Sequence, residues 1–437
     1  MLLRPGLYQY RQVTPGERAR IHLRVDGDGS GTLIVNASRV YQLNAVASLM
    51  AHLLLEGRSA RQVETEIRRA YSVGTNRARS DVADFRARLS ELVRPDGACP
   101  IHDLVLDILP PFSARPTAPY RMDLAITYRC NNDCSHCYNA RERNHAELPT
   151  ETWFAILDRL WELRIPHVVF TGGEPTLRDD LPALIAHAEA NGQITGLNTN
   201  GRRLSSDAYT RSLVDAGLDH VQITVESAEE EVHDGMVRAR GAHRQTLRGL
   251  QNALGTSLFV MTNTTLLQNN RDSMEATLDR LAALGVRTIG LNALIHAGRG
   301  AQVGTGLDEK DLGPLLSVAA GKTDEYGQRL IWYTPTEYCR FDPSISDLGV
   351  KGCTAALYSM CVEPDGQVLP CQSYYSPLGN ILDREWDEIW NHELAVRLRE
   401  RQVLPAKCTA CPIIQECGGG CPLRFPIPET ATCEENQ

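Results

Sequence analysis

Thirteen cysteines in 437 residues gather mainly in two places, and their spacing suits ligands better than bridges. Cys130, Cys134 and Cys137 form a C-x3-C-x2-C run. Three thiolates this close cannot make a disulfide set, and three ligands of one kind leave a tetrahedral or cubane centre one ligand short. An open position of that kind is where substrate chemistry takes place. A zinc knuckle, or simply buried thiols, is the plainer reading of the same residues. The second group is Cys353, Cys361, Cys371, Cys408, Cys411, Cys417, Cys421 and Cys433, in which C-x2-C-x5-C-x3-C precedes the last cysteine. A zinc ribbon is the competing reading there. Cys99 and Cys339 match neither pattern and are expected to be packing thiols.

The elements that must carry these residues alternate between strand and helix from Met122 to about His296. Strands are expected at Met122–Thr127, His167–Phe170, Ile194–Asn198, His220–Val225, Leu258–Thr264 and Val286–Leu291. Between them lie helical periods such as Trp153, Ile156, Leu157, Leu160 and Trp161 after a Thr150 cap. Parallel strands need such crossovers, and in barrels the loops after the strands hold the chemistry. Six units suit an open arc better than a closed eightfold barrel. Each candidate group follows a strand: the cysteine loop, then Thr171-Gly172-Gly173-Glu174-Pro175, then Thr199, Asn200 and Gly201, then Thr224, Glu226 and Ser227.

The cysteine loop resembles that of the radical S-adenosylmethionine enzymes. The resemblance implies that Cys130, Cys134 and Cys137 hold a 4Fe-4S cluster whose free iron takes S-adenosylmethionine. The reduced cluster would cleave it to methionine and a 5'-deoxyadenosyl radical, which abstracts hydrogen from the substrate. Gly172, Gly173 and Glu174 resemble the family's GGE motif, which holds the methionine amino group, with glycines permitting close approach of chain to ligand. Thr199, Asn200, Thr224 and Glu226 match places where relatives bind the ribose or the methionine part. Relatives often read Ser-Leu-Asp-Gly where this chain reads Thr224-Val225-Glu226-Ser227, so a carboxylate is kept and the glycine displaced. Arg238, after Val232-His233-Asp234, resembles the arginine that pairs the methionine carboxylate; a solvated helix face is the alternative. His136 and Tyr138 sit where relatives contact adenine. Gly298-Arg299-Gly300 resembles a turn of peptide-modifying relatives and receives no catalytic role, and no catalytic acid, base or hydrogen donor is assigned.

Residues 350 to 433, with Pro364-Asp365-Gly366 and Leu378 to Trp390, resemble the SPASM extension, which binds two auxiliary iron-sulfur clusters. The family pattern would give Cys353, Cys371 and Cys421 to the nearer cluster and Cys408, Cys411, Cys417 and Cys433 to the farther one. Cys361 is either a shifted ligand of the nearer cluster or a core thiol.

Residues 1 to 108 read as three short strands, around Leu7 to Val13, Ile21 to Val25 and Thr32 to Val35, and then three helices. The first helix carries Val46, Leu49, Met50, Leu53 and Leu54 and stops at Gly57. The second opens on a Ser59 to Gln62 capping box, and the third caps at Ser80 and buries Val82, Phe85, Leu89 and Leu92. This is a winged-helix pattern. With 15 basic and 12 acidic residues and no single-sign stripe, it is a poor footprint for nucleic acid. Through Tyr41-Gln42-Leu43-Asn44, Leu55-Glu56-Gly57 and Asp81 to Leu92 it resembles the PqqD-type recognition domain. That resemblance implies a precursor peptide whose leader adds a strand beside the small sheet; a structural cap or dimerisation domain is the alternative. Pro110, Pro111, Pro116 and Pro119 mark a stiff linker. The expected domains are thus 1–108, a linker over 109–120, a radical core over 121–335 and an auxiliary-cluster domain over 336–437, in an α/β chain.

A net charge of -9 and pI near 5.8 argue against a general polyanion binder. No apolar run approaches a membrane span, and Met1 to Thr14 lacks a signal-peptide core. The protein is expected in the cytoplasm, with reduced cysteines, an external electron donor such as flavodoxin or ferredoxin, and scarce oxygen. The expected function is radical modification of a ribosomally made peptide by a thioether or carbon-carbon crosslink, as in maturases of the sactipeptide and ranthipeptide type. Three alternatives stand beside it. In a sulfatase-maturing enzyme the residue after the third auxiliary cysteine is a carboxylate base, whereas here it is Gln372, an amide that cannot take a proton. A cofactor or haem-pathway enzyme is the second, and a winged-helix iron or redox-sensing regulator, which leaves the GGE motif unexplained, is the third.

Overall fold

The computed structural model describes residues 3–14, 17–36, 39–93, 116–140, 146–346, 348–349 and 351–424. Cys99, Cys433, Pro110 and Pro111 lie outside the described residues. The contacts divide the chain into two units, one of Met1–Thr117 with Arg159–His167 and Gly192–Ile194, the other of the remaining residues.

In the first unit, β1 (Gly6–Thr14), β2 (Glu17–Val25), β3 (Gly31–Val35) and β4 (Arg39–Leu43) form an antiparallel sheet in chain order. Four strands stand where three are expected. The additional one holds Tyr41-Gln42-Leu43, and its register opposite β3, Leu33 facing Tyr41 and Thr32 facing Gln42, makes this run a sheet edge. Helices α1 (Ala45–Leu55), α2 (Ala60–Tyr71) and α3 (Thr75–Leu92) follow. Asn44 caps α1 through the Ala47 amide, and Ser59 with Gln62 closes the expected capping box on α2. Helix α3 begins at Thr75 after Gly74, its cap six residues earlier than the Ser80 cap expected, and Ala78 in its first turn already packs inward. Leu23, Leu33, Met50, Ile67, Val82 and Leu92 belong to one buried core between sheet and helices.

The second unit is built on a ten-stranded sheet. Its strands in chain order are β5 (Arg121–Thr127), β6 (His167–Gly172), β7 (Ile194–Thr199), β8 (His220–Thr224), β9 (Phe259–Thr265), β10 (Thr288–Asn292), β11 (Arg329–Trp332), β12 (Ser359–Val362), β13 (Gln367–Leu369) and β14 (Gly379–Asn380). They lie in the order β11-β10-β9-β8-β7-β6-β5-β12-β13-β14. The six expected strands are all present; β5, β6 and β7 are buried along almost their whole length because helices cover the sheet, whereas β8 alternates between buried and partly buried residues. Two further strands extend them in parallel: β11 beside β10, and β12 beside β5 with Ser359 opposite Arg121 and Val362 opposite Leu124. The crossovers are α4 (Thr150–Glu162), α5 (Leu181–Asn191), α6 (Asp207–Asp215), α7 (Glu230–Val237), α8 (Ala242–Leu254), α9 (Met274–Ala283) and α10 (Glu309–Glu325). Thr150 opens α4, but its hydroxyl donates to Asp180 at 2.7 Å. The C-terminal part adds α11 (Trp386–Trp390), α12 (Glu393–Arg399) and a single turn, α13 (Ile414–Cys417). No helix of the described residues is long and apolar enough to cross a membrane.

Candidate active site

Parallel strands deliver their C-terminal loops to one edge of a sheet, and this edge collects the candidate residues of the second unit. The loop after β5 carries Cys130, exposed, with Cys134 and Cys137 partly buried. The loop after β6 braces it. Gly173 N donates to Thr127 O and Glu174 N to Arg129 O, each at 2.8 Å. The glycines are required by that brace: a Cβ on Gly172 would lie 2.0 Å from Thr127 O, and one on Gly173 2.4 Å from Arg129 O. Their close approach is therefore to the cysteine loop's own backbone, which differs from the expected approach to ligand. Asn139 Nδ2 closes the brace from the far side by donating to Gly172 O at 2.8 Å.

Glu174 is fully buried, and four donors hold its carboxylate. Thr176 N, Thr176 Oγ1 and Thr199 Oγ1 reach Oε1 at 3.1, 2.6 and 2.7 Å, and Asn200 N reaches Oε2 at 2.7 Å. Burial raises its pKa while these bonds lower it, and burial wins. Glu174 thus ties the loop after β6 to the loop after β7. From that loop Asn200 Nδ2 donates to Asn131 Oδ1 at 2.7 Å, and Arg202 donates to Asn131 O and to Asn132 Oδ1.

Glu226, after β8, is 1 % exposed and accepts from His136 Nε2 at 3.0 Å and from Thr265 N at 2.9 Å. His136 lies between the last two cysteines, so this pair fixes the middle of the loop. Glu226 N in turn donates to His233 Nδ1 at 3.2 Å, and Thr224 ends β8 opposite Asn263. Helix α7 contributes backbone: Asp133 N and Ser135 N donate to Val237 O and Met236 O at 3.0 and 2.9 Å. Arg238, left-handed at the end of α7 (φ 49°), places a half-exposed guanidinium 4.0 Å from Asp133.

The turn after β10 has a structural task that its motif does not announce. Arg299 donates from Nε to Cys134 O at 2.9 Å, from its backbone to Cys137 O at 3.0 Å, and from Nη1 to Asp133 Oδ1 at 2.5 Å. Gly298, at φ +53°, leaves no room for a Cβ, which would meet Tyr138 O at 2.6 Å. Arg202 and Asn139 are site residues that spacing could not find, because only the fold brings them to the cysteines, and Arg299, noted in the sequence for its turn alone, gains its bracing role the same way.

Two tyrosines flank the cysteine loop and both donate to the C-terminal part: Tyr128 to Glu363 and Tyr138 to Gln372, each at 2.9 Å. Gln372 also accepts from Thr171 Oγ1 at 3.3 Å. Its neighbour Cys371, with Cys353 and Cys421, forms a mutually interacting set of thiols, each pushed up to about 12 by burial first and by a neighbouring cysteine second. Cys361 is fully buried on β12 among Ala125 and Leu369, and its sulfur lies 3.6 Å from Val362 O. Burial raises its thiol well above the usual range, and Cys371 is among the groups that add to the shift. Cys408 and Cys417 are buried and Cys411 partly so. Cys339 is exposed, contrary to the packing role expected of it.

The donor set of the first loop fits an iron-sulfur cluster: three soft sulfur donors on one backbone braced from four neighbouring loops. Burial raises the Cys134 thiol well above its usual range. A multiply charged metal centre reverses that cost by taking the thiolate form. Among the described residues no three His, Cys, Asp or Glu side chains are gathered as ligands of one ion; a cubane instead takes its thiolates at separate corners.

Residues 124–281 match the Radical SAM superfamily, and residues 353–412 match SPASM, an iron-sulfur cluster-binding domain. The mycofactocin maturase MftC of Mycolicibacterium smegmatis is 30% identical over 341 residues, covering 71% of this chain and 82% of its own. The chain belongs to the radical SAM superfamily. As a radical SAM enzyme it is an oxidoreductase whose cofactors are a 4Fe-4S cluster and S-adenosylmethionine, with auxiliary iron-sulfur clusters in its SPASM part. The PqqA peptide cyclase of Streptomyces rochei is 29% identical over 313 residues, covering 70% of this chain and 84% of its own. The fold is that of Streptococcus suis SuiB, solved bound to its precursor peptide SuiA, at TM-score 0.69 and 15% identity over 95% of this chain and 96% of that one. Native anSMEcpe with bound AdoMet shares it at TM-score 0.57 and 17% identity over 69% and 88%.

Proposed function

We propose that this radical SAM enzyme modifies a ribosomally made precursor peptide, forming a thioether or carbon-carbon crosslink. The observation that carries the reading is that likeness in fold to a peptide-bound enzyme extends over 95% of this chain and so takes in its N-terminal unit. Relatives named for peptide maturation at 29–30% identity support it. In this reading the first unit is a PqqD-like winged helix. Its sheet ends in two edge strands, β1 and β4, either of which offers main-chain groups to an extended leader. Strands β5 to β10 with their helices form a partial (β/α)6 barrel, Cys130, Cys134 and Cys137 hold the first cluster, and Cys353, Cys371 and Cys421 hold the nearer auxiliary cluster. Flavodoxin or ferredoxin supplies the electron, in the cytoplasm.

The cluster that Cys130, Cys134 and Cys137 would hold would, when bound and reduced, supply the electron for cleavage of S-adenosylmethionine and with it the hydrogen-abstracting chemistry. This chain's own residues position the parts. Glu174 and Arg202 hold the loops after β6 and β7 against the cysteines, His136 and Tyr138 present a ring and a phenol beside them, and Thr224 lies at the end of β8. Arg238 is half-exposed and its nearest acid, Asp133, is shared with Arg299, so it is available to a carboxylate such as that of methionine. Gln372 occupies the place of a sulfatase-maturing base, and its oxygen is taken by Tyr138 and Thr171. An amide so held does not remove a proton, which favours peptide crosslinking over sulfatase maturation.

The test is anaerobic incubation of the reconstituted protein with reductant, S-adenosylmethionine and a Cys-rich precursor peptide encoded near its own gene. Formation of 5'-deoxyadenosine together with loss of two hydrogens from the peptide supports the reading, provided that the Cys130→Ala, Cys134→Ala, Cys137→Ala variant does neither. Cleavage with no mass change in peptides that carry their leaders would sink it.

A further inference from the structure

One surface beside the first cysteine loop carries a charge opposite to that of the chain as a whole. From Gly235 to Arg271 there are arginines at 238, 240, 244, 248 and 271 and no aspartate or glutamate, although acids outnumber bases over the full sequence by 54 to 45. Arg238, Arg240, Arg244 and Arg248 are exposed, at the end of α7, in the turn after it and on α8. Arg244 and Arg248 stand four residues apart on the solvent side of α8, because Thr246, Leu250 and Ala253 bury the other side. Arg244 has the half-exposed Glu230 at 3.2 Å, whereas Arg240 and Arg248 take no acid as partner among the described residues. This face adjoins the open end of the cysteine loop. Arg202 donates from Nε to Gln245 Oε1 on α8 at 2.7 Å and from Nη1 to Asn131 O, so one side chain joins α8 to the residue after Cys130. Cys130 is the exposed cysteine of the three. On its other side Arg129 is 62 % exposed. The two acids of this edge, Asp133 and Glu147, are each faced by two arginines.

We propose that the arginine face of α8 and the turn before it, with Arg240, Arg244 and Arg248 at its centre, docks an acidic one-electron carrier protein of the flavodoxin or ferredoxin kind. The proposal rests on the reading that such a carrier supplies the electron, and it assigns the surface that the carrier uses. One electron leaves the carrier's reduced centre and enters the cluster held by the cysteine loop, and no proton need move. Electron transfer falls steeply with distance, so the carrier has to settle where the loop opens to solvent. A negatively charged carrier meets guanidiniums there that acids of this chain leave largely unpaired. Complementary charge speeds encounter without a large buried area, which suits a partner that departs after delivering one electron.

The test compares the reconstituted parent with an Arg240→Gln, Arg244→Gln, Arg248→Gln variant and with Arg61→Gln, Arg68→Gln, Arg69→Gln, which removes the same charge from α2. Binding of fluorescently labelled flavodoxin, and in a second arm of labelled ferredoxin, is read by anisotropy at low ionic strength. The α8 variant is expected to bind the carrier about tenfold more weakly, with a flatter dependence on salt, and the α2 variant to bind like the parent. Equal loss in both variants, or in neither, overturns the proposal. Formation of 5'-deoxyadenosine is then driven by dithionite, a small reductant that needs no docking surface, and separately by each carrier with its reductase. With dithionite the α8 variant is expected to match the parent, and with the carrier to be about tenfold slower. Loss with dithionite as well, of 5'-deoxyadenosine or of peptide modification, overturns the proposal by giving these arginines to S-adenosylmethionine or to the peptide. A parent that dithionite drives and neither carrier binds or drives would overturn the carrier reading itself. A carrier that drives parent and α8 variant alike overturns only the surface assigned to it.

Discussion

Tyr138 Oη donates a hydrogen bond to Gln372 Oε1 at 2.9 Å. One residue follows the last cysteine of the first loop and the other follows an auxiliary cysteine, so a single bond spans two groups of sulfur ligands. Gln372→Leu would leave the Tyr138 and Thr171 hydroxyls facing an apolar group. The expected cost is about 1–3 kcal/mol, seen as a lower denaturation midpoint of the loaded protein, with iron content unchanged.

Gly173→Ala places a methyl 2.4 Å from Arg129 O. Backbone cannot yield there without moving Cys130. The variant is expected to form 5'-deoxyadenosine more than about tenfold more slowly. A rate within twofold of the parent would show that the brace is dispensable.

Arg299 supports the cysteine loop without touching sulfur. Lysine offers charge but no fork of donors, so Arg299→Lys should restore little. Both it and Arg299→Ala are expected to release iron from the first cluster about tenfold faster to a chelator, while the auxiliary clusters keep the parental rate.

Glu226 accepts from His136 and from Thr265 N through different oxygens. Glutamine can satisfy one of these donors and not both. Glu226→Gln should therefore lose about 1 kcal/mol and Glu226→Ala about 2–4 kcal/mol, measured by anaerobic urea unfolding. The same order in the two variants' affinity for S-adenosylmethionine is the functional check.

His233 is buried, which lowers its pKa from 6.5 to about 4, and its Nδ1 accepts from Glu226 N. Both facts require the neutral ring. The folded pKa lies below the unfolded one, so the unfolded chain binds the extra proton between about pH 4 and 6.5. Stability from this residue is complete above that window and declines as pH falls through it, by about 1.4 kcal/mol between pH 8 and 5.5. His233→Asn should flatten this part of the pH dependence of unfolding. An unchanged slope would assign it to other groups.

Six strands of the large sheet were legible because each carries several apolar or β-branched residues and alternates along the chain with a helical period. Strands β11 and β12 were not, for physical reasons that differ. Arg329-Leu330-Ile331-Trp332 is four residues long and opens on arginine, and Ser359-Met360-Cys361-Val362 is equally short and carries a cysteine whose spacing draws attention to ligation rather than to a strand. The motif residues Cys130, Cys134, Cys137, Gly172, Gly173 and Glu174 were visible from type and order alone. Their supports were invisible, since Arg299 is 165 residues from the carbonyl of Cys134 that it holds.

Strand β12 lies parallel to β5, residue 359 beside residue 121. During synthesis, the strand that leads into the first cysteine loop must therefore wait with one edge unpaired until more than half of the chain has emerged. Closing so long a loop is slow, and an edge left open in the meantime is a site for wrong pairing. Assembly of this protein is thus ordered in time. The first cysteine loop reaches its final bracing only after the C-terminal segment has arrived, so metal loaded onto a growing chain would meet an unfinished cradle.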